Sequence, residues 1–439
     1  MARQTSTLIS KVVSAFSSES TRRRIIRGSK KLGAFSSAQL LVQATGMVSG
    51  FLVVRFLVPH EYALYTLSLT MLGTMSVLAD AGITSGVMSE GGKVWQNSRS
   101  LGQVLATGIA LRKRSAIYCI AVIVPILIYM LHSHGASWLQ IAGILVGVIL
   151  TFITGLTGTL FQIIPKLHQH LLLLSKVQTL QALGRLLLIA PAVKLFPFSS
   201  IAIIAAALPQ LWANFKLKKV SEQFAERDCA QSPKVKKNIL RIVRRTLPGS
   251  IFYCISGQIT VFLIAIFGST TSIAEIGALG RISQLSTVYS VIIASIVVPR
   301  FARLQADPKL LAQWLIAVFG VTVIFGSGVI SFTALFSEPV LWLLGSSYSG
   351  LKVELLLSLG SSAVSLLSGS LYTLGHSRGW VMNPILMIPL TVIGQAIWLP
   401  FLDLSITKGV LTIGLLGGVI PLISQVIYMV FVIRKMQVS

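Results

Sequence analysis

The chain consists largely of apolar runs of about 20 residues, separated by short polar segments rich in Lys and Arg. A helix needs about 20 mostly apolar residues to cross the hydrocarbon core of a bilayer. Strands of a membrane barrel would alternate apolar and polar residues over about ten positions, and the chain lacks this alternation. The pattern predicts twelve membrane-spanning helices, at 33–57, 62–84, 115–133, 136–161, 170–191, 197–214, 247–268, 275–299, 310–334, 352–374, 380–402 and 409–433.

The composition agrees with a membrane protein. Hydrophobic residues make up 54% of the 439 residues and charged residues only 11%, whereas soluble domains carry about 25% charged residues. An ordinary water-soluble protein is therefore excluded. The few charges are unbalanced, with 37 Lys and Arg against 12 Asp and Glu and a formal net charge of +25.

The distribution of the positive charges predicts the orientation of the chain. With the N-terminus in the cytoplasm, 30 of the 37 basic residues fall on cytoplasmic segments, five of them at 85–114. Only Lys194, Lys352 and Lys408 fall on the outside. This is the positive-inside pattern of helical membrane proteins, and it predicts that both termini are cytoplasmic. We expect a multi-pass protein of the cytoplasmic (inner) membrane, with no nucleic-acid partner because no soluble domain carries the charge.

The spacing of polar residues indicates an internal duplication. A shift of 214 positions places Glu61 on Glu275 and the first apolar runs on those of the second half. Transporters often consist of two related halves with the substrate site between them. We therefore predict an all-α fold with two six-helix bundles. The predicted parts are a basic N-terminal arm at 1–32, a first bundle at 33–214, a basic linker at 215–246, a second bundle at 247–433 and a tail at 434–439, with arm, linker and tail in the cytoplasm.

The sequence contains no catalytic motif that we recognise. It has neither the GxxxxGK[ST] loop that binds nucleotide phosphates nor the HExxH helix that binds zinc. Its cysteines, Cys119, Cys229 and Cys254, are far apart and lack a metal-binding spacing. We predict that the chain is not an enzyme and uses no metal or cofactor.

Two segments carry a resemblance to a known family. The first is Gly50–Ile83, and the second is Ala274–Leu304. Both resemble Wzx-type polysaccharide flippases, although Val58 and Ala63 stand where that family commonly has glycine. The residues that match the family pattern in the first segment are Arg55, Pro59, Glu61, Tyr62, Tyr65 and the run Ala79–Ile83.

The resemblance implies both a fold and a function. The fold would be that of the multidrug/oligosaccharidyl-lipid/polysaccharide exporters, working by alternating access. The activity would be the transfer of an undecaprenyl-diphosphate-linked oligosaccharide from the inner to the outer leaflet for polysaccharide biosynthesis. Its partners would then be this lipid-linked oligosaccharide, the membrane lipids, and polysaccharide polymerase or assembly proteins.

Basic residues inside the predicted spans fit such a cargo. A diphosphate with sugars attached cannot cross hydrocarbon without polar contacts, and arginine binds phosphate through two parallel donors. Arg281 shares a helix face with Gln284, and Arg185 shares one with Gln178 and Gln181. We predict that these residues bind the substrate, with both arginines at the diphosphate. The alternatives are an outward snorkel for Arg281 and a buried helix interface for Arg185.

Four more residues have two interpretations each. Arg55 either binds substrate or snorkels to the outer surface, and Gln43 either lines the cavity or contacts a neighbouring helix. Asp80 is either a proton or sodium coupling site or part of a local ion pair at a helix end. Lys176 lies about 180° from Arg185 on an ideal helix, so it either faces the same cavity through a distortion of the helix or, as we expect, snorkels to the inner surface.

Two other functions fit the same architecture. A MATE-type cation or drug exporter would need acidic residues in its cavity, and Asp80, near one end of its span, gives only thin support for this. A membrane scaffold that transports nothing would leave the charges inside the spans unexplained.

Overall fold

The computed structural model describes residues 19–226, 229–302, 304, 307–378, 380, 382 and 384–438. Throughout these ranges the regular structure is helical, and no strand occurs among the described residues. The predicted arm falls partly on residues 1–18, which lie outside the described part of the chain.

The helices of the first half come first. Their bounds are α1 (Glu19–Phe56), α2 (Pro59–Asp80), α3 (Ile83–Val94), α4 (Ser98–Ser133), α5 (Trp138–Phe161), α6 (Ile163–Leu167), α7 (Leu171–Leu195) and α8 (Ser199–Ser221). The helices of the second half come next, and a π-helical turn at Ile293–Val297 lies among them. Its helices are α9 (Pro233–Gly257), α10 (Ile259–Phe267), α11 (Thr270–Ser283), α12 (Leu285–Ile292), α13 (Val298–Ala302), α14 (Pro308–Leu335), α15 (Ser337–Leu344), α16 (Lys352–Ser377), α17 (Pro384–Ala396) and α18 (Thr407–Val438).

Nine helical stretches of the described residues are long and apolar enough to cross a bilayer, and the chain is a multi-pass membrane protein. The remaining predicted spans fall on interrupted or shorter helices. The run 247–268 is broken at Gln258, and the run 275–299 is broken at Gln284. The run 380–402 corresponds to a shorter apolar stretch, Leu386–Phe401. The total of twelve spans and their orientation stay predictions.

The helix boundaries have local causes. Asn97 precedes α4 and its side chain accepts a hydrogen bond from the Ser100 amide, which satisfies one of the free donors of the first turn. Ser137 and Gln140 form a reciprocal capping box at the start of α5. Helix α2 ends where Ala81 and Gly82 adopt left-handed conformations, with φ of 38° and 92°. These two residues separate α2 from α3 within one apolar stretch.

The two halves of the chain meet along α2 and α11, the helices that the 214-residue shift superimposes. Tyr62 of α2 and Leu279 of α11 are fully buried in one apolar cluster, which also includes Phe152 of α5. Helices α1, α7 and α8 pack together in the first half, and α14, α16 and α18 pack together in the second. The predicted bundle boundaries fall inside helices, because α8 continues to Ser221 and α9 already begins at Pro233.

Candidate functional site

A row of amide side chains joins three elements of the first half. Gln39 of α1 donates from Nε2 to Oε1 of Gln178 in α7, at 2.6 Å. Gln178 in turn donates to Oε1 of Gln162, between α5 and α6, at 3.2 Å. Gln178 therefore serves as both acceptor and donor between Gln39 and Gln162, which matters in a membrane helix because an unpaired polar group there would be costly.

A second row of polar groups begins one turn further along α7. Gln181 donates to the side-chain oxygen of Gln210 in α8, and Gln210 donates to Asn214 Oδ1 at 3.2 Å. Asn214 then donates to the Thr154 carbonyl at 2.6 Å and to Thr157 Oγ1 at 3.2 Å. The two rows give the first half a polar interior made of neutral amides and hydroxyls.

Arg185 lies on the same helix, one turn beyond Gln181. Its Nε atom is buried and has no hydrogen-bond partner among the described residues. Within the same residues, the ion pairs join Lys93 to Glu90 and Arg112 to Asp80, so Arg185 also has no counterion. Arg185 is thus a cation on a helix long and apolar enough to cross a bilayer, and it has no counterion among the described residues.

Arg281 lies at the crossing of α2 and α11. Its Nε donates to the Tyr62 hydroxyl at 3.1 Å, and its Cζ lies 5.7 Å from the centre of the Tyr65 ring. A Cβ at Gly50 of α1 would lie only 3.2 Å from its Cδ, so the glycine makes room for the arginine. Tyr62 engages one of the five N–H donors of the guanidinium. Arg281 therefore bridges the two halves and has no carboxylate partner in the described residues.

The other predicted substrate residues are placed less centrally. Gln43 is half-buried on α1, and Gln284 is half-buried at the break between α11 and α12. Arg55 donates from Nη1 to the Trp342 carbonyl of α15 at 3.1 Å, and its Cζ lies 4.2 Å from the centre of the Trp342 ring. Lys176 is exposed and lines a groove of about 440 Å³ between α1 and α7.

Asp80 belongs to an ion pair. Its Oδ1 accepts hydrogen bonds from Arg112 of α4 and from the Thr84 backbone amide and hydroxyl, the last two at 3.1 and 2.5 Å. Arg112 also donates to the Leu156 carbonyl. Arg112 is one of the five basic residues of the predicted cytoplasmic segment 85–114; in the structure it lies on α4, which begins 17 residues before the predicted span, and it is buried. The environment of Asp80 is the local ion pair of the second interpretation.

The duplicated glutamates occupy equivalent positions. Glu61, in the first turn of α2, accepts hydrogen bonds from the Ser199 amide at the start of α8 and from Gln140, at 2.8 and 2.7 Å. Glu275, near the start of α11, accepts one from Thr407 at the start of α18. In each half, a glutamate near the start of the second predicted span therefore accepts a hydrogen bond from a residue near the start of the sixth predicted span. The two glutamates are related by the 214-residue shift, whereas their partners Ser199 and Thr407 are 208 positions apart.

The predicted site residues thus fall into two groups. The first group lies together on α7 and consists of Gln178, Gln181 and Arg185. Arg281 forms the second group and lies on α11, where the two halves meet. Helix α1 packs against both α7 and α11. Sequence reasoning missed Gln162, Gln210 and Asn214, which belong to segments that were taken as a loop and as an apolar span. Isolated amides in apolar runs were the available signal.

Comparisons with known proteins identify the fold. No family model matches the chain, and no curated protein matches it. Solved structures do match over nearly its full length. An inward-facing multidrug resistance MATE family transporter of the MOP superfamily has a TM-score of 0.69 at 14% identity, covering 91% of this chain and 96% of that one.

Two further matches agree with this assignment. A eukaryotic MATE transporter has a TM-score of 0.65 at 15% identity, covering 94% and 98% of the two chains. An outward-facing multidrug resistance MATE family transporter has a TM-score of 0.57 at 14% identity, covering 93% and 97%. The chain has the fold of these MATE transporters.

Proposed function

We propose that the chain is a membrane transporter that moves its cargo by alternating access between residues 33–214 and 247–433. The MATE transporter fold supports this proposal. The interruptions at Gln258 and Gln284 support it as well, since broken membrane helices are common where transporters bind and move substrates. The greater similarity to an inward-facing than to an outward-facing structure suggests a conformation open to the predicted cytoplasmic side.

The proposed cargo is an anionic, hydroxyl-rich amphiphile, a lipid-diphosphate-linked oligosaccharide of the cytoplasmic membrane. One observation carries this choice: among the described residues, two arginines of the interior have no counterion, whereas the carboxylates of Glu61, Asp80 and Glu275 are already hydrogen-bonded. Arg185 and Arg281 have no carboxylate partner among the described residues. Glu61, Asp80 and Glu275 each accept hydrogen bonds from neighbouring groups. An anion is therefore better matched to this interior than a cation.

The amide rows suit the sugar part of the cargo. Glutamine and asparagine side chains both donate and accept, as sugar hydroxyls do. In the structure, Gln178 and Gln181 hydrogen-bond to other amide side chains of the two rows. If sugar hydroxyls took the place of those amides, each glutamine would keep the same number of hydrogen bonds. We place the diphosphate at Arg185 and Arg281, and we propose polysaccharide polymerase or assembly proteins as partners that receive the product.

The second candidate is a cation or drug exporter of the MATE type. The matching structures support it better than the flippase, because their names describe multidrug resistance transporters. Such a cargo would need a carboxylate in the cavity. Asp80 could provide this carboxylate only if its ion pair with Arg112 were broken.

Reconstituted vesicles separate the two candidates. We would measure the arrival of a labelled lipid-linked oligosaccharide at the opposite leaflet and, in parallel, the accumulation of a fluorescent organic cation. The flippase proposal predicts protein-dependent movement of the lipid only. Cation accumulation without lipid movement would establish the exporter instead.

A further inference from the structure

A groove of about 440 Å³ runs along the surface between α1 and α7. One wall is a turn of α1, residues 37–41, and the other is the segment 175–180 of α7. Both segments lie toward the predicted cytoplasmic side, because the apolar stretch of α1 begins at Ser37 and α7 begins at Leu171. The volume lies within the range of about 300–1,000 Å³ that is usual for small-molecule sites.

The lining of the groove changes from polar to apolar along both helices. On α7 it passes from Ser175 and Lys176 through Thr179 to Leu180, about one turn further from the predicted cytoplasmic end. On α1 it passes from a serine to a leucine over residues 37–41. The two leucines are 45% and 48% exposed, so the deeper end of the groove opens on the lipid-facing surface.

Lys176 supplies the charge of the groove. Its side chain is exposed, and no ion pair of the described residues includes it. It lies about 7.5 Å along the helix axis from Leu171, the first residue of α7. A lysine side chain at this depth reaches the headgroup layer of the bilayer. The complement of such a cation beside exposed leucines is a molecule with an anionic headgroup and hydrocarbon chains.

Both walls of the groove belong to the first half of the chain. Gln39, next to the lining residue Ala38, donates a hydrogen bond to Gln178, next to the lining residue Thr179, at 2.6 Å. The two walls are therefore tied together and do not separate when the halves of the chain move relative to one another. An occupant of this groove stays with the protein, whereas cargo that is released between the halves does not.

We propose that the groove binds an anionic glycerophospholipid of the inner leaflet as a resident lipid. Its phosphate accepts a hydrogen bond from the Lys176 ammonium, and one acyl chain lies along Leu41 and Leu180. A soluble anion would not cover the leucines, and a zwitterionic lipid would not balance the charge of the lysine. The bound lipid bridges α1 and α7 and so stabilises the first half. The proposal does not depend on which cargo the protein moves.

Four variants separate the charge of the groove from its shape. Lys176→Gln removes the charge, and Lys176→Arg keeps it. Ala38→Phe keeps the lysine and fills the groove, because Ala38 belongs to its lining. Lys194→Gln is the matched control, since Lys194 is an exposed lysine in the last turn of the same helix, at the end remote from the groove.

The probe is phosphatidylglycerol with a photoreactive group near the glycerol end of one acyl chain, added to the full-length protein in phosphatidylcholine nanodiscs. We expect the label within residues 37–41 and 175–180 of the natural chain, and equal labelling of Lys194→Gln and Lys176→Arg. Lys176→Gln and Ala38→Phe should each weaken the binding about tenfold. A phosphatidylcholine probe with the same reactive group should label these segments weakly, and inorganic phosphate should not compete.

Thermal inactivation provides a second measurement. Phosphatidylglycerol should raise the midpoint of the natural chain and of Lys194→Gln, but not that of Lys176→Gln, because only a folded protein with the site intact gains from binding.

Three results would overturn the proposal. Equal labelling of Lys176→Gln and Lys194→Gln would show that Lys176 does not bind the headgroup. Equal labelling by the phosphatidylcholine probe would show that the groove contacts bulk lipid without selecting an anion. Competition by inorganic phosphate would identify a site for a soluble anion instead.

Discussion

The ion pair between Asp80 and Arg112 makes an asymmetric stability prediction. The Arg112 side chain is 5% exposed and that of Asp80 is 31% exposed. Asp80→Asn would leave a nearly buried guanidinium without a counterion. Arg112→Leu would instead leave a carboxylate that keeps its contact with solvent and its hydrogen bonds from Thr84. The two substitutions break the same contact with unequal consequences.

The magnitudes follow from these exposures. Removal of one partner of a buried ion pair costs about 3–5 kcal/mol because the other charge stays buried. For Asp80→Asn we expect about 3 kcal/mol, the lower end, since the carboxylate is partly exposed. For Arg112→Leu we expect about 2 kcal/mol, because this arginine also donates to Leu156, Thr159 and Thr84 and hydrogen bonds to charged groups contribute about 1.5–3 kcal/mol. The double variant should resemble Arg112→Leu, because it contains no unpaired charge.

Thermal inactivation of the purified protein in detergent provides the assay. The expected order of stability is the natural chain, then Arg112→Leu and the double variant together, then Asp80→Asn. If Asp80→Asn were as stable as the natural chain, the reasoning about the buried guanidinium would be refuted. If the double variant were folded but unable to transport, Asp80 would regain a role in ion coupling.

Three further predictions concern helix contacts and are tested by the same thermal assay. Glu61→Gln should destabilise the protein more than Glu275→Gln, because Glu61 is more deeply buried and accepts two hydrogen bonds rather than one; equal losses would contradict this. Gly277→Ala should cost about 1–3 kcal/mol, since its Cβ would clash with α2. Gly280→Ala, with no neighbour within 4 Å, should be neutral or stabilising. Asn97→Ala should cost about 1 kcal/mol through the lost cap of α4, and an unchanged midpoint would exclude that role.

The apolar pattern predicts the fold well because membrane helices are selected by length and hydropathy. The runs 136–161 and 170–191 fall on α5 and α7 with small shifts. The all-α fold is confirmed by the described helices and by the MATE structures. The pattern fails at Gln258 and Gln284, where single polar residues interrupt the helices without reducing the mean hydropathy of the run.

The polar site was only partly predictable. Helical spacing groups Gln178, Gln181 and Arg185 correctly on one helix. The partners of these residues come from elsewhere in the chain, so spacing along one helix contains no information about them. Arg112 shows the same limit. Its carboxylate partner lies 32 positions away in the sequence, and because other basic residues lie next to it, the charge pattern predicts a cytoplasmic loop rather than a buried ion pair.

We propose that Arg185 and Arg281, which have no carboxylate partner among the described residues, bind an anionic lipid headgroup. Leaflet sidedness of a labelled lipid-linked oligosaccharide, in vesicles containing the Arg185→Ala/Arg281→Ala variant, tests it most directly. We expect that the natural chain moves the lipid and that the folded double variant does not. Normal arrival of the lipid in the opposite leaflet with both arginines removed would contradict the account.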